Sequence, residues 1–232
     1  MTEVLRVENL EARYGRAQAL WDINLSIDEG DGLGLIGHNG AGKSTLLRCI
    51  AGAHRTGTTG RVVYRENDIR GESSFKIARR GLSFVREGAP VFGNMTVIEN
   101  LMLGMALARR RDTSPRPLTI AWETFPVLET MTSRRAGLLS GGQRQMLATA
   151  TALLSNPSLL LLDEPSAGLA PEAAENCFDA IIRLREAGLS LLIAEQNAEW
   201  LVRVTTRSIE IESGRMLQRS APIPPGRSRS NG

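Results

Sequence analysis

Apolar and polar residues alternate with two different periods along this chain, and the switches between them mark its elements. Val4 to Leu10 reads as a strand, followed by a turn at Tyr14-Gly15. Ile23, Leu25 and Ile27 alternate with polar residues, the pattern of a strand with one buried face. Asp28-Glu29-Gly30-Asp31-Gly32 turns the chain into a short apolar run, Leu33-Gly34-Leu35-Ile36. Leu46-Leu47-Arg48-Cys49-Ile50 then opens with helical spacing, Gly52 to Gly60 reads as a turn-rich connector, and Arg61-Val62-Val63-Tyr64 returns as a strand.

Leu82-Ser83-Phe84-Val85 is a further short strand ending at Arg86-Glu87-Gly88. Thr96 to Met105 has helical spacing, with Thr96 as N-cap and Glu99 three residues on. Asp112 to Pro117 reads as a loop, and Trp122, Phe125 and Leu128 as one short amphipathic helix. Leu139-Ser140-Gly141-Gly142-Gln143 opens a helix through about Leu154, stopped by Asn156-Pro157. Four leucines, Leu159 to Leu162, are what a central parallel strand covered on both faces requires. A helix begins at Pro171 and ends at Gly188, and Leu189 to Ala194 forms the next buried strand. A helix at Trp200-Leu201 and a hairpin (Ser208–Ile211, Met216–Gln218) follow. The Pro-, Ser- and Arg-rich tail from Ser220 is expected to be disordered. The whole is an α/β chain mixing antiparallel-looking strands with a strand–helix core.

Composition narrows the class without deciding it. With 232 residues, 42% of them hydrophobic and 23% charged, a sizeable core is available to a soluble protein. No run approaches the roughly 18 apolar residues of a membrane span, and Met1-Thr2-Glu3-Val4 carries no secretory pattern, so a cytosolic chain is expected. Cys49 and Cys177 lack metal-site spacing and read as buried free thiols. Net charge is +3, and Lys43 and Lys76 are the only lysines among many arginines. The Arg109-Arg110-Arg111 run has no interleaved aromatics to stack on bases; it reads as a solvated loop, and no nucleic-acid partner is expected.

The candidate chemistry begins at Gly37-His38-Asn39-Gly40-Ala41-Gly42-Lys43-Ser44-Thr45, between the strand at Leu33–Ile36 and the helix after it. Strand, glycine loop and helix N-terminus form the context of a phosphate-binding loop. Glycines let backbone N–H groups turn inward around a phosphate, Lys43 can reach the β- and γ-phosphates, and the Ser44 hydroxyl can ligate Mg²⁺. A purely structural glycine turn is outweighed by Lys43-Ser44 standing in register. Asp163-Glu164 after the leucine strand complements the loop: Asp163 to hold Mg²⁺, Glu164 to polarise the attacking water. Leu139-Ser140-Gly141-Gly142-Gln143 makes a second anion site, from a hydroxyl and helix N-terminal N–H groups. One nucleotide hardly uses two such sites, so a head-to-tail dimer is expected, each motif capping the partner's ATP.

Phosphate loop, Leu139–Gln143 and acidic strand, in this order, resemble the ATP-binding cassette subunits of membrane transporters, from about residue 3 to residue 219. The resemblance implies a P-loop NTPase (ABC ATPase) core with an antiparallel β subdomain and a small helical subdomain. One nucleotide-binding domain would span 1–219, with the helical part at 88–138 and a tail at 220–232. It implies that Tyr14 stacks on adenine, against its reading as a strand-end aromatic, and that Ser166-Ala167-Gly168-Leu169 links two subunits.

Two departures stand out. The family's switch histidine is replaced by Gln196, which can donate a hydrogen bond to a γ-phosphate but carries no charge. The family's glutamine after Leu82–Val85 is replaced by Glu87, able to contact Mg²⁺ or the lytic water. Glu87-Gly88, Val91-Phe92, Met95-Thr96-Val97 and Glu195-Gln196-Asn197-Ala198 resemble the second ATP-binding subunit of branched-chain amino acid transporters, which normally has proline where Arg86 stands. That resemblance implies an ATPase pairing with a second, different ATP-binding subunit, although a homodimer stays open. Two membrane permeases, contacted around Glu87 to Thr96, and a periplasmic-type binding protein would complete it at the cytoplasmic face of the inner membrane. The cargo implied is a branched-chain or other hydrophobic amino acid taken up by import, with urea or short amides as the alternative. A weakly hydrolysing partner cassette and a soluble clamp on nucleic acid are the competing readings.

Overall fold

The computed structural model describes residues 2–88, 91–111 and 113–217. The segment from Gln218 onward, including the tail expected to be disordered, lies outside the described residues.

β1 (Glu3–Tyr14) and β2 (Ala17–Asp28) form a long antiparallel hairpin. β1 runs four residues past Leu10, where the sequence pattern ends it. Asn9 at φ 46° sits in a register shift that flips the buried parity from Leu5 and Val7 to Leu10 and Ala12. Alternation therefore breaks at Leu10 while the strand continues. β3 (Gly32–Ile36) leads through the glycine loop into α1 (Lys43–Ile50). β4 (Thr58–Tyr64) starts inside the stretch expected as a connector and pairs with β1, followed by the two-residue β5 (Asn67–Asp68). Gly60 belongs there because a Cβ at its φ of +85° would meet the Asn9 carbonyl at 2.3 Å, opposite the bulge.

α2 (Ser74–Arg79) buries only Ile77 and leaves no apolar period in the sequence. It precedes β6 (Leu82–Val85) and α3 (Val97–Arg109). The Thr96–Glu99 capping box forms: Thr96 Oγ1 accepts from the Glu99 amide at 3.3 Å, and Glu99 accepts from the Thr96 amide at 2.7 Å. The expected single helix around Phe125 is two, α4 (Thr119–Thr124) and α5 (Pro126–Glu129). Pro126 excludes helical geometry at the preceding residue, and Phe125 sits at φ −137°, ψ 79°. Then come α6 (Gly141–Leu154), β7 (Leu159–Asp163), α7 (Pro171–Glu186), β8 (Ser190–Glu195), α8 (Ala198–Val204), β9 (Arg207–Glu212) and β10 (Arg215–Leu217).

The strands build two sheets. A four-stranded antiparallel sheet runs β2-β1-β4-β5, and a six-stranded sheet runs β10-β9-β3-β8-β7-β6, parallel except for β10. The larger sheet is covered on both faces, which accounts for the leucine run: Leu159 and Leu161 join the core between the sheets and α1. Leu160 and Leu162 join the core beneath α3, α6 and α7. On the second face Phe178 stacks on Trp200 at 4.4 Å. Cys49 and Cys177 are free and buried, and burial pushes both thiols up to about 12. Arg111 departs from the solvated loop expected for the arginine run. It is half-buried, its guanidinium donating to the carbonyls of Ala78, Ser155 and Asn156. Among the described residues no helix is long and apolar enough to cross a membrane.

α3 and α6 approach closely at Gly104, where a Cβ would stand 2.1 Å from the Thr151 carbonyl. Gly104→Ala is expected to push these helices apart and destabilise the fold by about 1–3 kcal/mol, read as a lower urea midpoint at unchanged slope.

Candidate functional site

The topology gathers the candidate residues. In an open parallel sheet, ligands bind beyond the carboxyl ends of the strands. Here β3 delivers the glycine loop, β7 delivers Asp163 and Glu164, β8 delivers Gln196, and Glu87 follows β6. β8 lies between β3 and β7, so the residue after it stands between the loop and the acidic pair.

Residues 38–45, with Glu87 and Glu164, line a cleft of about 610 Å³. Gly37, Gly40 and Gly42 shape the loop differently. A Cβ on Gly37 would meet the Ile211 carbonyl at 2.3 Å, and Gly42 sits at φ +113° against Leu20. Gly40, at φ +79°, faces open space. The amide of Ala41 donates to the His38 carbonyl, and the Ala41 carbonyl accepts from the Gly214 amide at 2.8 Å. The β9–β10 turn thus buttresses the loop. The cleft is also lined by Gln18, Ser213 and Gly214, none singled out from the sequence as site residues.

Lys43 is 3% exposed and folds back into the loop. Its Nζ donates to the Gly37 carbonyl at 2.6 Å and the His38 carbonyl at 3.2 Å, and lies 3.4 Å from Glu164 Oε1. Gln196 Nε2 donates to Asn39 Oδ1 at 2.7 Å and to Glu164 Oε2 at 2.9 Å. Glu164, 8% exposed, is therefore held between an ammonium and an amide. Its own backbone is left-handed, at φ 49°, with its amide donating to the Ala194 carbonyl at 3.0 Å. That conformation is uncommon for a residue with a Cβ, and such strain concentrates at functional sites.

Asp163 is fully buried, and its Oδ1 accepts from the Ser44 hydroxyl at 2.8 Å. Its Oδ2 is buried with no hydrogen-bond partner. An orphaned carboxylate oxygen beside a serine hydroxyl is a hard-oxygen donor set that fits Mg²⁺. Among the described residues no three His, Cys, Asp or Glu side chains gather as a metal cluster. Mg²⁺ seldom needs one, because waters and substrate phosphates complete its shell. Burial pushes the Asp163 carboxyl up, the Ser44 hydroxyl and Arg48 pull it down, and Glu164 and Glu87 push it up again. Asp163 thus holds its proton more tightly folded than unfolded, and its ionisation costs stability as pH rises through and above the carboxylate range. Asp163→Asn keeps the Ser44 contact and removes this cost. Without Mg²⁺ or nucleotide it is expected to raise the Tm at pH 8 by roughly 2–4 °C, with less gain at pH 4, in a thermal scan.

Tyr14 stands at the rim, 45% exposed, its hydroxyl 3.5 Å from Thr45 Oγ1 and its ring 4.3 Å from that of His54. The residues 139–143 do not join this cleft. Leu139 is buried, and its carbonyl accepts from Arg144 at 2.7 Å. Ser140 Oγ accepts from the Gln143 amide at 3.2 Å while Gln143 Oε1 accepts from the Ser140 amide at 3.0 Å, a capping box that leaves the serine proton free to donate. Ser140, Gly142 and Gln143 line a separate cavity of about 470 Å³ with Phe125 and Gly168, and Gly141 faces open space.

Sequence reasoning passed over Glu195. It is 3% exposed, and its carboxylate accepts from the backbone amides of Ser166 at 3.1 Å and Gln196 at 3.3 Å. The available signal was a charged residue ending an otherwise apolar strand.

A family model described as ABC transporter matches residues 20–167. The high-affinity branched-chain amino acid transport ATP-binding protein BraG of Pseudomonas aeruginosa is 38% identical over 92% of this chain and 91% of its own. The probable branched-chain amino acid transport ATP-binding protein LivF of Archaeoglobus fulgidus is 36% identical over 92% and 90%. The crystal structure of a nucleotide-free ATP-binding cassette from an ABC transporter superposes with a TM-score of 0.75 at 28% identity, over 95% of this chain and 92% of that one.

Proposed function

The chain belongs to the ABC transporter family as one of its ATP-hydrolysing cassettes, and from that membership we propose that it powers uptake of branched-chain or other hydrophobic amino acids through separate membrane permeases. The observation that carries the catalytic part is Glu164, placed between Lys43 and Gln196 beside the buried Asp163–Ser44 pair. In this reading the loop amides and Lys43 hold the β- and γ-phosphates, and Tyr14 packs against the adenine. Glu164 takes the proton of the attacking water, and Gln196 directs its amide hydrogens at the γ-phosphate. Ser44 and Asp163, with Glu87 nearby, would hold Mg²⁺, which when bound supplies charge neutralisation across the phosphate oxygens.

The separation of residues 139–143 from the cleft supports a head-to-tail pair in which each chain presents Ser140, Gly141 and Gly142 to its partner's ATP. The branched-chain relatives favour a second, different cassette as that partner, with a periplasmic-type binding protein delivering cargo outside. Residues 88–138 act as the helical subdomain that meets the permeases on the cytoplasmic side. An apolar groove of about 280 Å³, lined by Val85, Phe92, Leu103 and Leu107, with Phe92 63% exposed, supports a contact there. A urea or short-amide cargo is the alternative, since cargo does not touch a cassette.

The test is uptake of labelled leucine, isoleucine and valine by cells lacking this chain, against urea and acetamide. Selective loss of the three amino acids, restored by the wild-type gene and not by Glu164→Gln, is expected. Unchanged amino-acid uptake with lost urea or acetamide uptake would replace the cargo assignment.

A further inference from the structure

We propose that Glu195 is a positioning residue for hydrolysis, its carboxylate clamping the loop from Glu164 to Leu169 onto the end of β8 so that Glu164 and Gln196 share one frame. The inference rests on Glu164 being the base. The two amides that Glu195 accepts belong to Ser166, two residues beyond the base, and to Gln196, whose side chain donates to Glu164 itself. One carboxylate therefore fixes the backbone on both sides of the Glu164–Gln196 contact.

The loop beyond is braced at its other end. The Ala167 amide donates to the Glu164 carbonyl at 3.0 Å and the Leu169 amide to the Ser166 carbonyl at 3.1 Å, making two successive tight turns. The Gly168 carbonyl then lies only 2.5 Å from where a Cβ on Gly142 would stand, packed against the first turn of α6. The loop is thus held between Glu195 and the helix that carries residues 140–143. An acid at this depth is costly, since burial is the largest influence on Glu195 and pushes its carboxyl up while the Ser166 amide pulls it down. Its hydrogen bonds go to this loop and to its own neighbour. Holding the loop is the return on that burial.

Reach, rather than charge, is what such a clamp requires. Glu195→Gln keeps the length and one oxygen for the Ser166 amide. Glu195→Asp keeps the charge and retreats by one methylene, and Glu195→Ala removes the acceptor. Steady-state ATP turnover and binding of a fluorescent ATP analogue are measured for the wild type, these three variants and Glu164→Gln. For Glu195→Gln, which keeps the Ser166 contact and gives up the longer 3.3 Å one from the Gln196 amide, kcat is expected to fall by no more than about threefold; for Asp and Ala it should fall about tenfold or more, with KM and analogue affinity held within about twofold. Should Glu195→Ala fail to fold, the order of Gln over Asp decides alone. An aspartate that keeps kcat while glutamine loses it overturns the clamp, as does a loss shared equally by kcat and affinity. Unchanged variants beside an active wild type and an inactive Glu164→Gln overturn the clamp and leave the hydrolysis reading standing. A wild type silent with every partner removes both.

Discussion

Glu164→Gln is expected to lower ATP turnover by about 10²- to 10⁴-fold while leaving ATP binding intact. The amide has the same shape and keeps an oxygen facing Lys43, which stands 3.4 Å from the carboxylate today. It has no basic oxygen to receive the proton of the attacking water, so the chemical step stalls with nucleotide in place. With that one oxygen on Lys43, the amino group replaces Oε2, so the Gln196 donor at 2.9 Å loses its acceptor and that side chain must turn its own oxygen inward, a rearrangement of one contact that leaves the phosphate loop in place. Burst-phase and steady-state phosphate release, read beside analogue binding, check this. Turnover within about threefold of wild type would remove Glu164 from the role of base. If the two-chain arrangement is right, the same variant also accumulates an ATP-dependent dimer by size exclusion, because closure is no longer followed by hydrolysis.

Lys43→Ala is expected to weaken ATP binding by about 10²-fold or more, and turnover with it. Lys43 is a buried ammonium already pointing into the loop, where it satisfies the carbonyls of Gly37 and His38. A phosphate entering the loop competes for the same three donors with full negative charge. Alanine loses these charge-assisted contacts and also leaves Glu164 without its cation. Lys43→Arg should not rescue, because a planar fork cannot replace a compact ammonium in a loop closed this tightly. Calorimetric titration with ATP and Mg²⁺ measures the loss; an affinity within about threefold of wild type would mean that the glycine amides alone hold the phosphates.

The two substitutions differ in how far their basis could be read from the sequence. Lys43 and Ser44 lie in one contiguous loop, whose chemistry comes from local backbone geometry and a helix N-terminus, both set by neighbours in the chain. The sequence assigns Ser44 and Asp163 to one Mg²⁺, and their direct hydrogen bond is a contact that the fold adds. That Gln196 would touch both Asn39 and Glu164 was not legible. It depends on β8 lying between β3 and β7, an order of strands that no local pattern encodes. The role of Glu195 is hidden for the same reason, since its partner Ser166 belongs to another strand's loop. The buttress from Gly214 onto the Ala41 carbonyl joins residues far apart in the chain, and a hairpin turn by itself announces no such contact.

The apolar alternation of β1 stops at Leu10 because Asn9 shifts the register, while pairing with β4 continues to Ala12 and with β2 to Tyr14. Apolar spacing runs continuously through Phe125 and predicts one helix, whereas the backbone restriction that Pro126 places on Phe125 divides it in two. The arginine run reads as a solvated loop because it lacks interleaved aromatics, a criterion blind to the three carbonyls at the ends of other elements that accept from Arg111.

By itself the sequence determined the class of chemistry: a glycine loop with Lys43 and Ser44, an acidic strand end and a Ser-Gly-Gly helix start are each contiguous, so short-range sterics, dipoles and period suffice to specify them. The tertiary structure alone decided which groups meet. It set Glu164 between Lys43 and Gln196, left Asp163 Oδ2 without a partner, lodged Glu195 under the loop that follows Glu164 and kept residues 139–143 away from their own chain's cleft. Those are contacts between strand ends, and strand ends become neighbours only through the order in which a sheet closes around its core.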